Sequence, residues 1–286
     1  MRSTRRFALA WAGSMRTMMP SRFARPSRGR TLITTLLLAW VGLAATQDDP
    51  TATLRDLLAR GFYNAAAQLE APNLVEQYPN DPEVQFLYAR VTYLTGDLRT
   101  ARTALTAASG LLEARGLPLP AAYVHLDGLL LDAVGATDAA LVRLREAFAM
   151  SGAYREAMDL GRVAWRDGRL DEALRAYAAA AETEVGAVEP WPLLNQGRIL
   201  VRLGRPAEAR NVLQAVITRL ESEGQVTLGG ASPAYVEAYY RLGEAFELEG
   251  SVALAQEAYQ EARRIDPGFT PAIQALDRLA RPSDGP

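Results

Sequence analysis

Residues 236–269 read VEAYYRLGEAFELEGSVALAQEAYQEARRIDPGF, and the fold is decided here. Before Gly250 the apolar and small residues Tyr239, Leu242, Gly243 and Phe246 fall three and four apart, the spacing of one helix face. After it, Ala255, Tyr259 and Ala262 do the same. Gly250 lies where the first helix must end in a left-handed turn. The stretch is therefore two antiparallel helices joined by a tight turn. Gly243 and Ala255 are expected where the two helices come closest, because a larger side chain would separate them.

The same arrangement recurs upstream. Turn glycines each followed five residues later by Ala are Gly61/Ala66, Gly96/Ala101, Gly135/Ala140, Gly168/Ala173, Gly204/Ala209 and Gly250/Ala255. Successive glycines are 35, 39, 33, 36 and 46 residues apart, close to 34 with loop insertions. Seven residues before the turn comes a small residue in five units: Ala89, Gly128, Gly161, Gly197 and Gly243. Four after the Ala comes a large one: Leu105, Leu144, Tyr177, Leu213 or Tyr259. These large residues are expected to fill the gaps between units. Helix starts are marked by Asp81-Pro82, Ser232-Pro233 and Thr270-Pro271, each a capping residue before a proline.

On these residues the chain resembles the tetratricopeptide repeat (TPR) proteins. The resemblance spans about 50–281. It implies an all-α, right-handed α-solenoid of about six helical hairpins, at roughly 50–81, 82–115, 121–154, 154–187, 190–223 and 236–269. The first of these needs one inserted residue. Residues 270–281 form a closing amphipathic cap, and 282–286 a disordered tail. A linker with Gly224, Gly229 and Gly230 precedes the last unit, and a hinge at 225–232 would let that unit move against the others.

Composition limits the chemistry. The chain has no cysteine, one histidine (His125), and 31 basic residues that are all Arg. Thiolate metal sites, a cysteine nucleophile, a P-loop lysine and lysine Schiff bases are excluded. No glycine-rich phosphate loop, nucleophile elbow or metal-ligand cluster is present, so no catalytic residue, metal or cofactor is assigned and the chain reads as non-enzymatic. His125 stands beside Asp127, but residues two apart on a helix point apart, and a lone His on such a face reads as polar surface. Residues 1–45 hold eight Arg and no acid. The remainder has 23 Arg against 33 acids, a net charge near −10 that argues against nucleic acid as a partner.

The N-terminus reads as an address. Residues 31–45, TLITTLLLAWVGLAA, are uncharged and follow Arg22, Arg25, Arg28 and Arg30. A basic region, a short apolar run and small exit residues are the parts of a secretory signal, and the run is short for a spanning helix. Residues 1–46 are thus either a signal peptide, cleaved after Ala44 or Ala45, or a retained membrane anchor. Either implies export across the inner membrane, to a periplasmic, secreted or N-terminally anchored location. Met15, Met18 and Met19 lie inside the long basic region as alternative starts to Met1.

What the resemblance implies about function is a scaffold or adaptor that holds a protein or peptide along the first helices of its hairpins. Carrying the family's groove positions onto this sequence selects Arg90 and Tyr93; Arg155, Arg162, Trp165 and Arg166; Trp191, Arg198 and Arg202; and Tyr240. Arginine forks pair with carboxylates and Trp anchors apolar groups, so this basic, aromatic patch points to a partner with acidic groups, centred on Arg162, Arg166, Arg198 and Arg202. The competing reading is a solvated helix face in a chain whose only abundant cation is Arg. An alternative function is an envelope carbohydrate or polymer binder, with Trp165, Trp191, Tyr93 and Tyr240 stacking on sugar rings.

Overall fold

A computed structural model describes residues 49–224 and 232–281, without the side chains of residues 65, 67 and 68. The leader read over 1–46, the tail at 282–286 and most of the hinge expected at 225–232 lie outside the described residues. Among the described residues every regular element is helical. None of these helices is long and apolar enough to cross a membrane. The helices are α1 (Ala52–Ala59), α2 (Tyr63–Ala65), α3 (Ala71–Gln77), α4 (Pro82–Leu94), α5 (Leu98–Ala114), α6 (Ala121–Ala133) and α7 (Thr137–Ser151). They continue as α8 (Tyr154–Arg166), α9 (Leu170–Glu182), α10 (Trp191–Arg202), α11 (Pro206–Ser222), α12 (Pro233–Leu248), α13 (Val252–Ile265) and α14 (Thr270–Ala280). Each packs mainly on its neighbours in the chain, so the molecule is an all-α solenoid of helical hairpins closed by α14.

Between α2 and α3 the chain forms a π-helical turn, Ala66–Glu70. A π-turn takes up one extra residue without ending a helix. From Gly61 to Pro79 is one residue longer than from Gly250 to Pro267. After the turn Ala71 and Leu74 are buried, with the same separation as Tyr259 and Ala262. The π-turn thus puts the second half of the first hairpin back in phase.

The glycines do two different jobs. Gly135 and Gly250 end their helices at φ +79° and +76°, with nothing within 4 Å of an added Cβ, so backbone conformation alone requires them. Gly161 and Gly243 lie inside helices, and a Cβ there would meet the rings of Tyr177 and Tyr259 at 2.8 and 2.5 Å. Sequence reasoning paired these glycines with the Ala of the second helix. The residue that needs the space is the large one four positions on, which lies across the glycine within its own hairpin.

Two of the expected caps form. Asp81 Oδ1 accepts from the backbone N–H of Glu83 and Val84 at 2.8 and 3.1 Å, and Ser232 Oγ accepts from Ala234 N–H at 3.4 Å. Thr270 does not cap: it lies inside α14, whose flanking residue is Phe269, and its hydroxyl donates to the Gly268 carbonyl at 3.4 Å.

Buried side chains form three clusters along the array. One contains Leu213 and Leu220 of α11 together with Tyr235, Val236 and Leu242 of α12, so packing is continuous across the linker at 225–231. The Tyr235 hydroxyl reaches Glu221 at 3.0 Å over the same junction. Near the other end, Phe86 of α4 stacks on Tyr123 of α6 at 4.2 Å, and the Tyr123 hydroxyl donates to the Pro82 carbonyl at 3.0 Å. That contact fixes the spacing of the two first helices between which the site lies.

Candidate functional site

The first helices α1, α4, α6 and α8, with Tyr63 of α2, enclose a cavity of about 460 Å³. Leu58, Phe86, Leu94, Leu126 and Leu129 make much of its wall apolar. Arg90 of α4 and Arg155 of α8 both line it, and His125 of the intervening α6 lies between their helices. Its size falls within the range of ordinary ligand pockets.

The ten residues selected from sequence separate here. Arg90, Tyr93 and Arg155 line the cavity. Arg162, Trp165, Arg166 and Arg198 belong to a web of contacts within the protein. Arg162 pairs with Asp159 at 2.9 Å and with Asp132 at 3.5 Å. Arg166 pairs with the same Asp132, whose side chain is only 7% exposed. Arg198 binds Glu237 at 2.6 Å and lies over the Trp165 ring at 5.4 Å. Tyr240 packs between Tyr259 and Phe269 under Arg241, and burial pushes its hydroxyl up to about 12. Trp191 and Arg202 are exposed on α10. Of the four arginines expected to centre the acid-binding patch, Arg162, Arg166 and Arg198 already hold carboxylates of their own chain.

Arg90 and Arg155 differ from these. Among the described residues neither has a carboxylate within ion-pair distance, and Arg90 is half-buried. Burial holds its guanidinium below the ordinary value and neighbouring Arg155 lowers it further, against Tyr63 and Glu83. Arg155 is exposed, and the acids Glu156 and Asp159 line the same concavity as the two arginines.

His125 is not the polar surface residue read from sequence. It is 6% exposed, and its Nε2 lies 3.0 Å from Asp159 Oδ2. Burial raises the Asp159 carboxyl, but the hydrogen bond with His125 and the charge of Arg162 outweigh it and leave the group below its usual value. Asp127, beside His125 in sequence, turns away and accepts from Arg143 Nε at 2.7 Å. Sequence reasoning missed Tyr63, Leu126, Glu156 and Asp159 as cavity residues. For Asp159 a signal existed: it follows His125 by 34 residues, as Arg166 follows Asp132. Among the described residues no cluster of His, Asp and Glu could hold a metal ion.

Stacked helical hairpins, with side chains of successive first helices around one cavity, define a helical-repeat protein. Residues 194–268 and 157–179 each match a family model described as tetratricopeptide repeat, so the chain carries tetratricopeptide repeats. Its fold is similar to that of PilW, described as a widely conserved type IV pilus biogenesis factor (14% identity over 81% of this chain and 100% of that one, TM-score 0.61). It is also similar to pilF of Pseudomonas aeruginosa (16% identity, 81% and 96% covered, TM-score 0.59). A third similar structure is YrrB, described as a TPR protein with an unusual peptide-binding site (17% identity, 72% and 97% covered, TM-score 0.58). At these identities the likeness is one of fold. No curated protein sequence matches the chain.

Proposed function

We propose that this protein is an exported, non-enzymatic scaffold that holds a peptide segment of a partner protein against the first helices of its N-terminal four hairpins. The observation that carries this reading is the cavity of about 460 Å³, apolar in much of its wall and lined by Arg90 and Arg155. An apolar concavity with a few placed polar groups is the usual form of a binding site. YrrB, of similar fold, is described as binding peptides, which supports the same use here. PilW, described as a type IV pilus biogenesis factor, supports a place in cell-envelope assembly, in keeping with the basic and apolar leader read at 1–46. The carbohydrate reading has less support, because Trp165 and Tyr240, two of its four stacking platforms, are packed against neighbouring side chains.

Site-specific photo-crosslinking in the native host tests the reading. A crosslinker replacing Leu129 in the cavity should trap a protein partner. One replacing Thr218, on the outward face of α11, should not. Equal yields from both positions would rule the groove out. N-terminal sequencing of the exported protein tests the leader: a start near residue 46 or 47 supports cleavage.

A further inference from the structure

Several acids withdrawn from water in this protein are held by its own arginines. Asp132 is held by Arg162 and Arg166, Asp159 by Arg162, Glu172 by Arg145 and Glu237 by Arg198. Glu156 is different. It is 9% exposed, and no cation or hydrogen-bond donor among the described residues reaches it. Carboxylates are rarely buried unless paired. Its place in the first turn of α8 suits the helix dipole, but the usual donor to an acid there is taken: the Ala153 N–H goes to Ser151 Oγ at 3.1 Å. Among the described residues no enclosed side-chain polar atom lacks a partner, so the Glu156 oxygens open onto the cavity that the residue lines. Tyr123 holds the equivalent third position of α6, where it closes the gap to α4 by stacking on Phe86. At that position of α8 stands an acid that makes no such contact.

We propose that Glu156 receives the ammonium or guanidinium group of a Lys or Arg side chain on the partner peptide, with the stem of that side chain against the apolar wall. This deepens the peptide-holding reading of the groove and rests on it. An ionised carboxylate only accepts hydrogen bonds, so whatever completes it must donate, and a cation also offsets its charge. The arginines of the lining do not fill this role. Arg155 is next to Glu156 in sequence but exposed, and neither it nor Arg90 comes within ion-pair distance of the acid. The field met by an approaching partner has the same sign, since residues 46–286 carry a net charge near −10. Leu126 and Leu129 offer the methylene stem an apolar path, and the Tyr93 ring attracts a cation. The sequence pointed to a partner with acidic groups; the buried group left open in the groove is itself an acid.

The test is a peptide array probed with the full chain, followed by fluorescence anisotropy on the strongest binders and their central-residue substitutions. The peptides are acetylated and amidated, with randomised flanks around a central Lys, Arg, norleucine or Glu. Lys and Arg peptides should bind about tenfold or more tightly than norleucine, which keeps the stem and lacks the charge. Glu156→Gln should remove that preference and leave the norleucine peptides unchanged, a selective loss that misfolding could not produce. Glu113→Gln should change nothing, since Glu113 lines a separate cavity beside α5. The urea midpoint of the free Glu156→Gln variant should not fall, because no ion pair is lost; a clear fall would make Glu156 a structural residue and overturn the inference. Equal binding of Lys, norleucine and Glu peptides, unaltered in the variant, overturns the cation site but leaves the groove reading standing. A preference for Glu peptides overturns it as well. Butylamine that binds as tightly as the Lys peptides would make the occupant a small amine and overturn the peptide source. If no peptide binds, the groove reading fails and the inference with it.

Discussion

His125 Nε2 and Asp159 Oδ2 lie 3.0 Å apart, on first helices one hairpin apart and 34 residues apart in sequence. The pair ties α6 to α8 at the floor of the cavity, and it makes the fold acid-sensitive in a defined direction. The Asp159 carboxyl is held below its ordinary value. A depressed carboxyl gives its full stabilisation above the unfolded value of about 3.9, and that stabilisation is lost as pH falls through the lower folded value. Asp159→Asn should therefore be less stable than the parent at neutral pH and should lose less on going from pH 5 to pH 3. Urea midpoints across that range measure it. Parallel acid profiles would mean that Asp159 contributes nothing to acid sensitivity.

Arg162 and Arg166 are expected to matter for stability more than for capture. Replacing both by Gln leaves Asp132, 7% exposed, without its two cations. The loss should be about 1–2 kcal/mol, limited by water reaching two half-exposed guanidinium groups. Chemical denaturation gives the loss directly, and peptide anisotropy on the same variant should show little change.

Gly243→Ala and Gly250→Ala should both destabilise, for reasons a double-mutant cycle can separate. At Gly243 a methyl group meets the fully buried Tyr259 ring, and overpacking of this kind costs about 1–3 kcal/mol, more than the helix-propensity gain of Ala in most cases. In a Tyr259→Ala background that cost should largely vanish. At Gly250 the cost is the left-handed backbone, about 1–2 kcal/mol, and it should persist in the same background.

Asp81→Ala removes the acceptor for two backbone N–H groups at the start of α4, the helix that carries Phe86, Arg90 and Tyr93. A loss of about 1 kcal/mol is expected. Asp81→Asn should recover most of it in the same denaturation assay.

What was legible in the sequence follows from where the information lies. Turn glycines, small-to-large pairs and proline starts are local, so a fixed period exposes them. The groove positions Arg90, Tyr93 and Arg155 follow from the family resemblance laid over that period, and one cavity collects them. The partners of charged groups do not, because they lie on the adjacent hairpin. His125 was weighed against Asp127 two residues away instead of Asp159 one repeat away. Arg162, Arg166 and Arg198 were counted as free cations because Asp132, Asp159 and Glu237 were never set against them. The register of first helices, which decides those pairings, depends on inter-hairpin packing such as Phe86 on Tyr123 and not on any local pattern.

The buried imidazole has a practical consequence. His125 is the chain's one histidine, and it lies on the cavity floor. Its carbon-bound ring protons therefore give a pair of magnetic resonance signals with no other imidazole to obscure them. A ligand seated in that cavity must change the magnetic environment of that ring, whereas one bound on the outer helices would leave it alone. The native sequence thus supplies its own occupancy reporter, with no label and no substitution.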